Sequence, residues 1–207
     1  MNGLIKEIED LKQSKTKEII DNRIREFKKI NKNSNEELFS EMCFCILTAN
    51  YNAEKTIKIQ NEIGNSFCED SKDALCEKLK EYGHRFPNAR ADYIMCSRIY
   101  KNNLSNLVNN NNYKIIREWI VKNIKGLGLK EASHFLRNIG FDDYAIIDFH
   151  IIDLLVKYGI IKRPKSLTKN KYLEIEETLR EIGKKTNLTL AELDLYLWYM
   201  ETGKILK

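Results

Sequence analysis

Residues 124–136 run IKGLGLKEASHFL. Gly126 and Gly128 stand two apart, and Lys130 follows the second glycine by two. Glycine accepts backbone angles that other residues resist, so GLG predicts a sharp corner between two helices. At the start of the second helix several N–H groups lack intrahelical partners, and the helix dipole is positive there. Such a corner attracts a phosphate. With Lys125 beside Gly126 and Gly128, it becomes a clamp that holds a nucleic-acid backbone without reading sequence. Leu127 and Leu129 alternate with the glycines and are expected to seat the turn in apolar surface. The bland alternative is an ordinary helical corner.

Lys130 is the residue with chemistry in it. A lysine in the first turn opposes the helix dipole, and the same field favours the neutral amine. A neutral amine is what Schiff-base formation at a sugar carbon requires. A second element, IIDFHIIDLL, places Asp148 eighteen residues after Lys130. Asp148 is predicted to cap a helix by accepting from Ile151 N or its neighbour. Aimed at a bound sugar, its carboxylate would also offset positive charge developing there. Asp153, on the following helix, is expected to be a surface charge.

These residues need a helical frame. Apolar residues recur at helical spacing almost throughout. Leu4, Ile5, Ile8 and Leu11 form one stripe, and Ile19, Ile20, Ile24, Phe27 and Ile30 another. Ser34 with Glu37 predicts a capping box that opens a central buried helix through EELFSEMCFCILTAN. Further helices are expected at 54–63, 73–82, 88–100, 115–124 and 131–139, then after Asp148 and over 169–184 and 189–202. Gly83 and Gly140 are expected to end two of them. The stretch NNLSNLVNNNNYK (102–114) predicts a surface connection. No segment alternates convincingly enough for a strand. The class is all-α, with about ten helices.

The bulk numbers bound the function. A chain of 207 residues, 43% hydrophobic and 31% charged, is globular and long enough for a sizeable core. A net charge of +5 permits an anionic partner without demanding one. No run approaches the roughly 18 apolar residues of a membrane span. The opening MNGLIKEIEDLKQ carries acids at helical spacing, which predicts no signal peptide and an intracellular protein. Five irregularly spaced cysteines without a CxxC pair predict reduced thiols, with neither a disulfide framework nor a zinc or iron–sulfur site.

GLGLK followed by IIDFH resembles the helix-hairpin-helix superfamily of DNA base-excision glycosylases. Four stretches narrow it: CFCILTAN (43–50), GHRF with RADYI (83–94), NIKGLGLKEASHFLRNIG with AIIDFH (123–150), and AELDLYLWYMETGKILK (191–207). Together they are similar to the type 2 8-oxoguanine DNA glycosylase/AP lyases, a group common in archaea. The resemblance implies a two-lobed helical bundle with a helix-hairpin-helix motif and a DNA-binding cleft between lobes. The expected lobes are 34–149, with the hairpin at 115–139, and 1–33 plus 150–207. The implied partner is damaged double-stranded DNA, bound by a monomer with no membrane attachment, no metal and no cofactor.

The same resemblance implies roles. Lys130 is the Schiff-base nucleophile and Asp148 the catalytic aspartate. Lys125, Gly126, Gly128 and His150 hold the DNA backbone. Phe149 stands where relatives often carry a residue such as Arg. Trp198, Asp194 and the terminal Lys207, with its carboxylate, form the base pocket. For Trp198 the alternative is core packing, and for Lys207 a frayed end. HRFPNAR offers His84, Arg85 and Phe86 on a loop, where an aromatic wedge beside a basic group suits a kinked duplex, with Asn50 as a second gap-filling residue. Phe86 packed inward is the alternative, and Arg90 is expected to meet phosphate or solvent. The rival functions are a helix-hairpin-helix DNA-binding module without chemistry, a glycosylase for another oxidised or mismatched base, and a purely structural helical protein.

Overall fold

The computed structural model describes residues 1–30, 34–109 and 113–207. The regular elements among them are all helical, as the all-α reading expects. In chain order they are α1 (Asn2–Lys12), α2 (Thr16–Ile30), α3 (Asn35–Thr48), α4 (Ala53–Ile63), α5 (Ser66–Glu69), α6 (Lys72–Glu81) and α7 (Pro87–Ser97). A 3-10 segment (Arg98–Asn103) leads to α8 (Leu104–Asn109). Then follow α9 (Tyr113–Asn123), α10 (Leu129–Asn138), α11 (Phe149–Lys157), α12 (Lys169–Thr186) and α13 (Leu190–Thr202). No described helix is long and apolar enough to cross a membrane.

Polar caps set where many of these helices begin. Ser34, Asn52, Ser71, Asp148, Thr168 and Thr189 each accept a bond from the backbone N–H three residues on. At α13 the box is reciprocal, because Glu192 reaches back to Thr189 N at 2.8 Å. Positive φ at Gly83 and Gly140 lets the chain leave α6 and α10.

The chain divides into two compact units, one of Met1–Lys28 with Leu136–Lys207, the other of Lys29–Phe135. The second crossing falls inside α10 rather than after residue 149. The last turn of α10 and the segment beyond it are bonded into the C-terminal helices. Arg137 pairs with Asp194, Ala191 N donates to Asp142 O at 3.2 Å, and Ala145 N donates to Glu176 Oε2 at 3.0 Å.

In the central unit (29–135), α3 is the core helix. Leu38, Phe39, Met42, Phe44, Ile46 and Leu47 are fully buried on it, which is why its sequence shows no polar stripe. It packs against α4, α5, α7, α8 and the 3-10 segment. Much of the asparagine-rich stretch is therefore not a bare connection. Leu104 and Val108 are buried on α8, a helix its composition disguises, while 110–112 lie outside the described residues.

In the terminal unit, α13 packs on α11, α12 and α1. Ile20, Ile24 and Phe27 of α2 form one cluster with Ala191, Leu195 and Tyr196. Ile19 is 53% exposed, so the expected stripe on α2 is narrower by one residue. The five cysteines are free thiols.

Candidate active site

The hairpin forms between α9 and α10 in the central unit. Leu127 is buried, as its anchoring role requires, and Leu129 is half-buried. Leu127 N donates to Ile124 O at 3.2 Å to close the turn. Arg117 donates to Ser133 Oγ at 3.2 Å, tying α9 to α10 beneath it. Gly126 has φ +89, and a Cβ there would meet the Tyr93 ring at 2.3 Å. Only glycine meets both demands. Gly128 has no such twist, and an added Cβ would meet only the Glu131 carboxylate, at 3.3 Å.

Lys125 is exposed, with Nζ 2.7 Å from Asp92 and 5.4 Å from the Tyr93 ring centre. Asp92 also takes Lys72 at 2.9 Å. Hydrogen bonds from Lys125 and Lys72 hold the Asp92 carboxyl down to about 2. The carboxylate therefore keeps two lysines beside the turn.

Lys130 is the second residue of α10, with its side chain 28% exposed. Glu131, which the sequence reading passed over, joins it to the hairpin. Its Oε2 accepts from Gly128 N at 3.2 Å, and its Oε1 lies 3.3 Å from Lys130 Nζ. Gly128 thus stands as N-cap with an acid three residues on, the reciprocal half of a capping box. The spacing G-x-x-E was the available signal. One N–H expected to face phosphate is occupied by this carboxylate.

Asn50, Arg85 and Phe86 come together in the same unit. Asn50 follows α3 in a left-handed conformation, φ 56, with its side chain exposed. Phe86 is 37% exposed, so the inward-packed alternative does not hold, and Arg85 stacks over its ring at 4.9 Å. His84 and Arg90 depart from expectation. His84 is 4% exposed and bonded to Leu47 O, so it does not stand beside Arg85 and Phe86 on the outer face of the loop. Arg90 is 7% exposed and donates to Ala49 O, so it meets neither solvent nor an open phosphate site.

The terminal unit carries the remaining candidates. Asp148 caps α11, its Oδ1 accepting from Ile151 N at 3.0 Å. The bland reading is therefore true, and it leaves Oδ2 uncommitted by the cap. Phe149 is 64% exposed, and its ring lies 4.0 Å from that of His150. His150 meets Trp198 edge-on at 5.1 Å, which turns the indole toward the start of α11 rather than into a fully buried core. Lys207 is half-buried beyond α13. Asp153 is exposed and paired with Arg163.

Asp194 is buried and ion-paired with Arg137, a residue the sequence reading did not single out. Arg137 is held in turn by Asn138 Oδ1 at 2.8 Å and by the Phe27 ring at 4.9 Å. Burial pushes the Asp194 carboxyl up to about 6; Arg137 opposes the rise and the charge of Asp148 adds to it.

Against known proteins, residues 20–188 match the family described as 8-oxoguanine DNA glycosylase. An 8-oxoguanine DNA glycosylase/AP lyase of Methanocaldococcus jannaschii is 56% identical over 205 residues, 99% of each chain. One from Korarchaeum cryptofilum is 49% identical and covers 100% of this chain and 99% of its own. The crystal structure of the Methanocaldococcus jannaschii enzyme in complex with a 15mer DNA containing 8-oxoguanine superposes with a TM-score of 0.96. It shows 55% identity and 99% coverage of both chains. That of the Thermotoga maritima 8-oxoguanine DNA glycosylase gives 0.93 at 42% identity, covering 100% of this chain and 99% of the other. A glycine hairpin carrying a lysine, a capping aspartate after it, and likeness along the whole chain converge: the protein belongs to the 8-oxoguanine DNA glycosylase family.

Proposed function

We propose that this chain removes 8-oxoguanine from duplex DNA and then cuts the strand at the abasic site. The observation that carries the reading is end-to-end likeness to glycosylase/AP lyases, one of them solved with the damaged base in its DNA. A duplex substrate places the protein's work inside the cell.

The steps make physical sense for these residues. A damaged base cannot be reached within the stack, so it is extruded. Phe86 and Arg85 enter beside the opened step, and Asn50 fills the space the base leaves. The hairpin and Lys125 hold the phosphates. Trp198 stacks on the extruded base, with Asp194 and Lys207 shaping the pocket around it.

Lys130, as the free amine, attacks C1′ while the bond from C1′ to the base breaks, and the base leaves with the electron pair of that bond. The Asp148 carboxylate offsets the positive charge on the sugar during the attack. Ring opening leaves an imine between Lys130 and C1′. Loss of a C2′ proton then expels the 3′ phosphate and cuts the strand by β-elimination. These roles draw on each residue's position within its own unit and on the family's chemistry. They need neither metal nor organic cofactor.

Recognition rests on one hydrogen. Guanine presents N7 as an acceptor, whereas the oxidised base carries hydrogen there and donates. A pocket that offers an acceptor at that point favours the lesion and repels guanine, and such a site discriminates by orders of magnitude. The test is base release from matched duplexes bearing 8-oxoguanine, thymine glycol, or no damage. Release from the first alone supports the reading. Preference for thymine glycol, or no release from any, rejects it.

A further inference from the structure

Two surface segments of the central unit meet at the C-terminal end of α3. The last carbonyls of a helix have no partner within it and sit at the negative end of its dipole. Here a second segment, 83–90, supplies the donors. His84 Nε2 donates to Leu47 O at 2.9 Å, and the Arg90 guanidinium donates to Ala49 O. Tyr51 returns the contact, its hydroxyl donating to Gly83 O at 2.9 Å and its ring lying 4.2 Å from that of His84.

The His84 ring is committed at both nitrogens. Nδ1 accepts from Phe86 N at 3.1 Å while Nε2 donates, which requires the neutral ring with its hydrogen on Nε2. The Arg90 guanidinium lies 5.5 Å from the Phe86 ring centre and 5.6 Å from that of Tyr93. His84 and Arg90 are 4% and 7% exposed, whereas Asn50, Arg85 and Phe86 on the same two segments face outward. The His84 and Arg90 bonds are on the inner side, the Tyr51 bond is exposed at its edge, and the side chains that could enter DNA are on the outer side.

We infer that His84, Arg90 and Tyr51 form a latch that holds the Asn50 turn and the Phe86 loop as one rigid projection. They are positioning residues for extrusion of the damaged base. The inference rests on the proposed reading of Asn50 and Phe86 as the residues that enter the duplex. Wedge and filler must act on the same base step, so their mutual spacing has to be set before DNA arrives. Small misplacements of such groups are costly. The buried His84 and Arg90 bonds set that spacing without those two side chains touching the substrate.

The experiment measures two rates on each protein: base removal from an 8-oxoguanine duplex, and strand cutting at a preformed abasic site in the same duplex. The abasic site has no base to extrude, so it does not need the projection. Arg90→Met is expected to slow base removal by about tenfold or more, with abasic-site cutting unchanged. A reporter 2-aminopurine beside the lesion should brighten less on binding than with the unmodified protein. Tyr51→Phe, which deletes one hydroxyl and keeps the ring, should move the same ratio in the same direction by less. Equal loss of both rates in a folded Arg90→Met protein, or no loss of base removal, overturns the latch. Should Arg90→Met not fold, an unchanged ratio in Tyr51→Phe overturns it instead. Failure of the unmodified protein on either substrate rejects the proposed function itself, which separates the two outcomes.

Discussion

Arg137 and Asp194 form a buried ion pair that joins the last turn of α10 to α13, side chains 5% and 10% exposed. A charge in that position is tolerable only while its partner stays. Asp194→Leu strands a guanidinium in the core and should cost about 3–5 kcal/mol, seen as a fall in denaturation midpoint. The double change Arg137→Met with Asp194→Leu should recover most of that loss. Equal destabilisation by single and double changes would mean that the pair contributes through shape rather than charge.

Asp148 has two proposed tasks that a substitution can separate. Asn caps a helix about as well as Asp, so Asp148→Asn should leave the melting temperature nearly unchanged. Base removal should nonetheless fall by about 100-fold or more, because the carboxylate charge is gone. Asp148→Ala should lose the cap as well, at about 1 kcal/mol. Normal turnover by Asp148→Asn would leave this residue with its cap alone.

Gly126 and Gly128 look equivalent in sequence and are not so in space. Gly126→Ala must adopt φ +89 and displace Tyr93, whereas Gly128→Ala meets only a flexible carboxylate. The left-handed geometry alone costs about 1–2 kcal/mol. Gly126→Ala should weaken damaged and undamaged duplexes by the same factor, because phosphate contacts carry no sequence information. Gly128→Ala should change little. Fluorescence anisotropy titrations at two salt concentrations check both, and a loss confined to damaged DNA would contradict the hairpin's role.

His84 makes a pH prediction. Burial, with Arg90 adding, holds its imidazole below the usual 6.5. As pH falls, the unfolded chain takes up this proton before the folded one does. The stability that His84 contributes is therefore complete above pH 6.5 and is lost as pH drops through the lower folded value. Melting curves between about pH 8 and 5 should fall more steeply for the unmodified protein than for His84→Gln. Parallel curves would mean that the ring does not titrate on unfolding.

Much of this was legible locally. The Asp148 cap, the glycine corner and the buried helix after Ser34 all follow from residues within a few positions of each other. Whether Phe86 faces outward is left open by its sequence, and its 37% exposure is settled by the fold. The Glu131 contact is local, three residues from Gly128, but a glycine has no side chain to mark it as a cap, so only half of the capping-box pattern shows in the sequence. The rest lay in distance along the chain. Arg137 and Asp194 are 57 residues apart, and Arg90 meets Ala49 across 41. Nothing in NAR or RNIG announces a buried arginine, because burial is decided by which partner the fold brings. The helix at Leu104–Asn109 was hidden by its asparagines, although its leucine and valine sit four apart.

The central claim is that the Lys130 amine forms a covalent bond with the deoxyribose of the excised base. Borohydride reduction during turnover on an 8-oxoguanine duplex tests it most directly, with the adduct mapped by peptide mass spectrometry. A protein–DNA adduct carried on Lys130, and absent from a folded Lys130→Gln protein, is the predicted result. An adduct on another residue, or strand cutting that persists at full rate in Lys130→Gln, would contradict it.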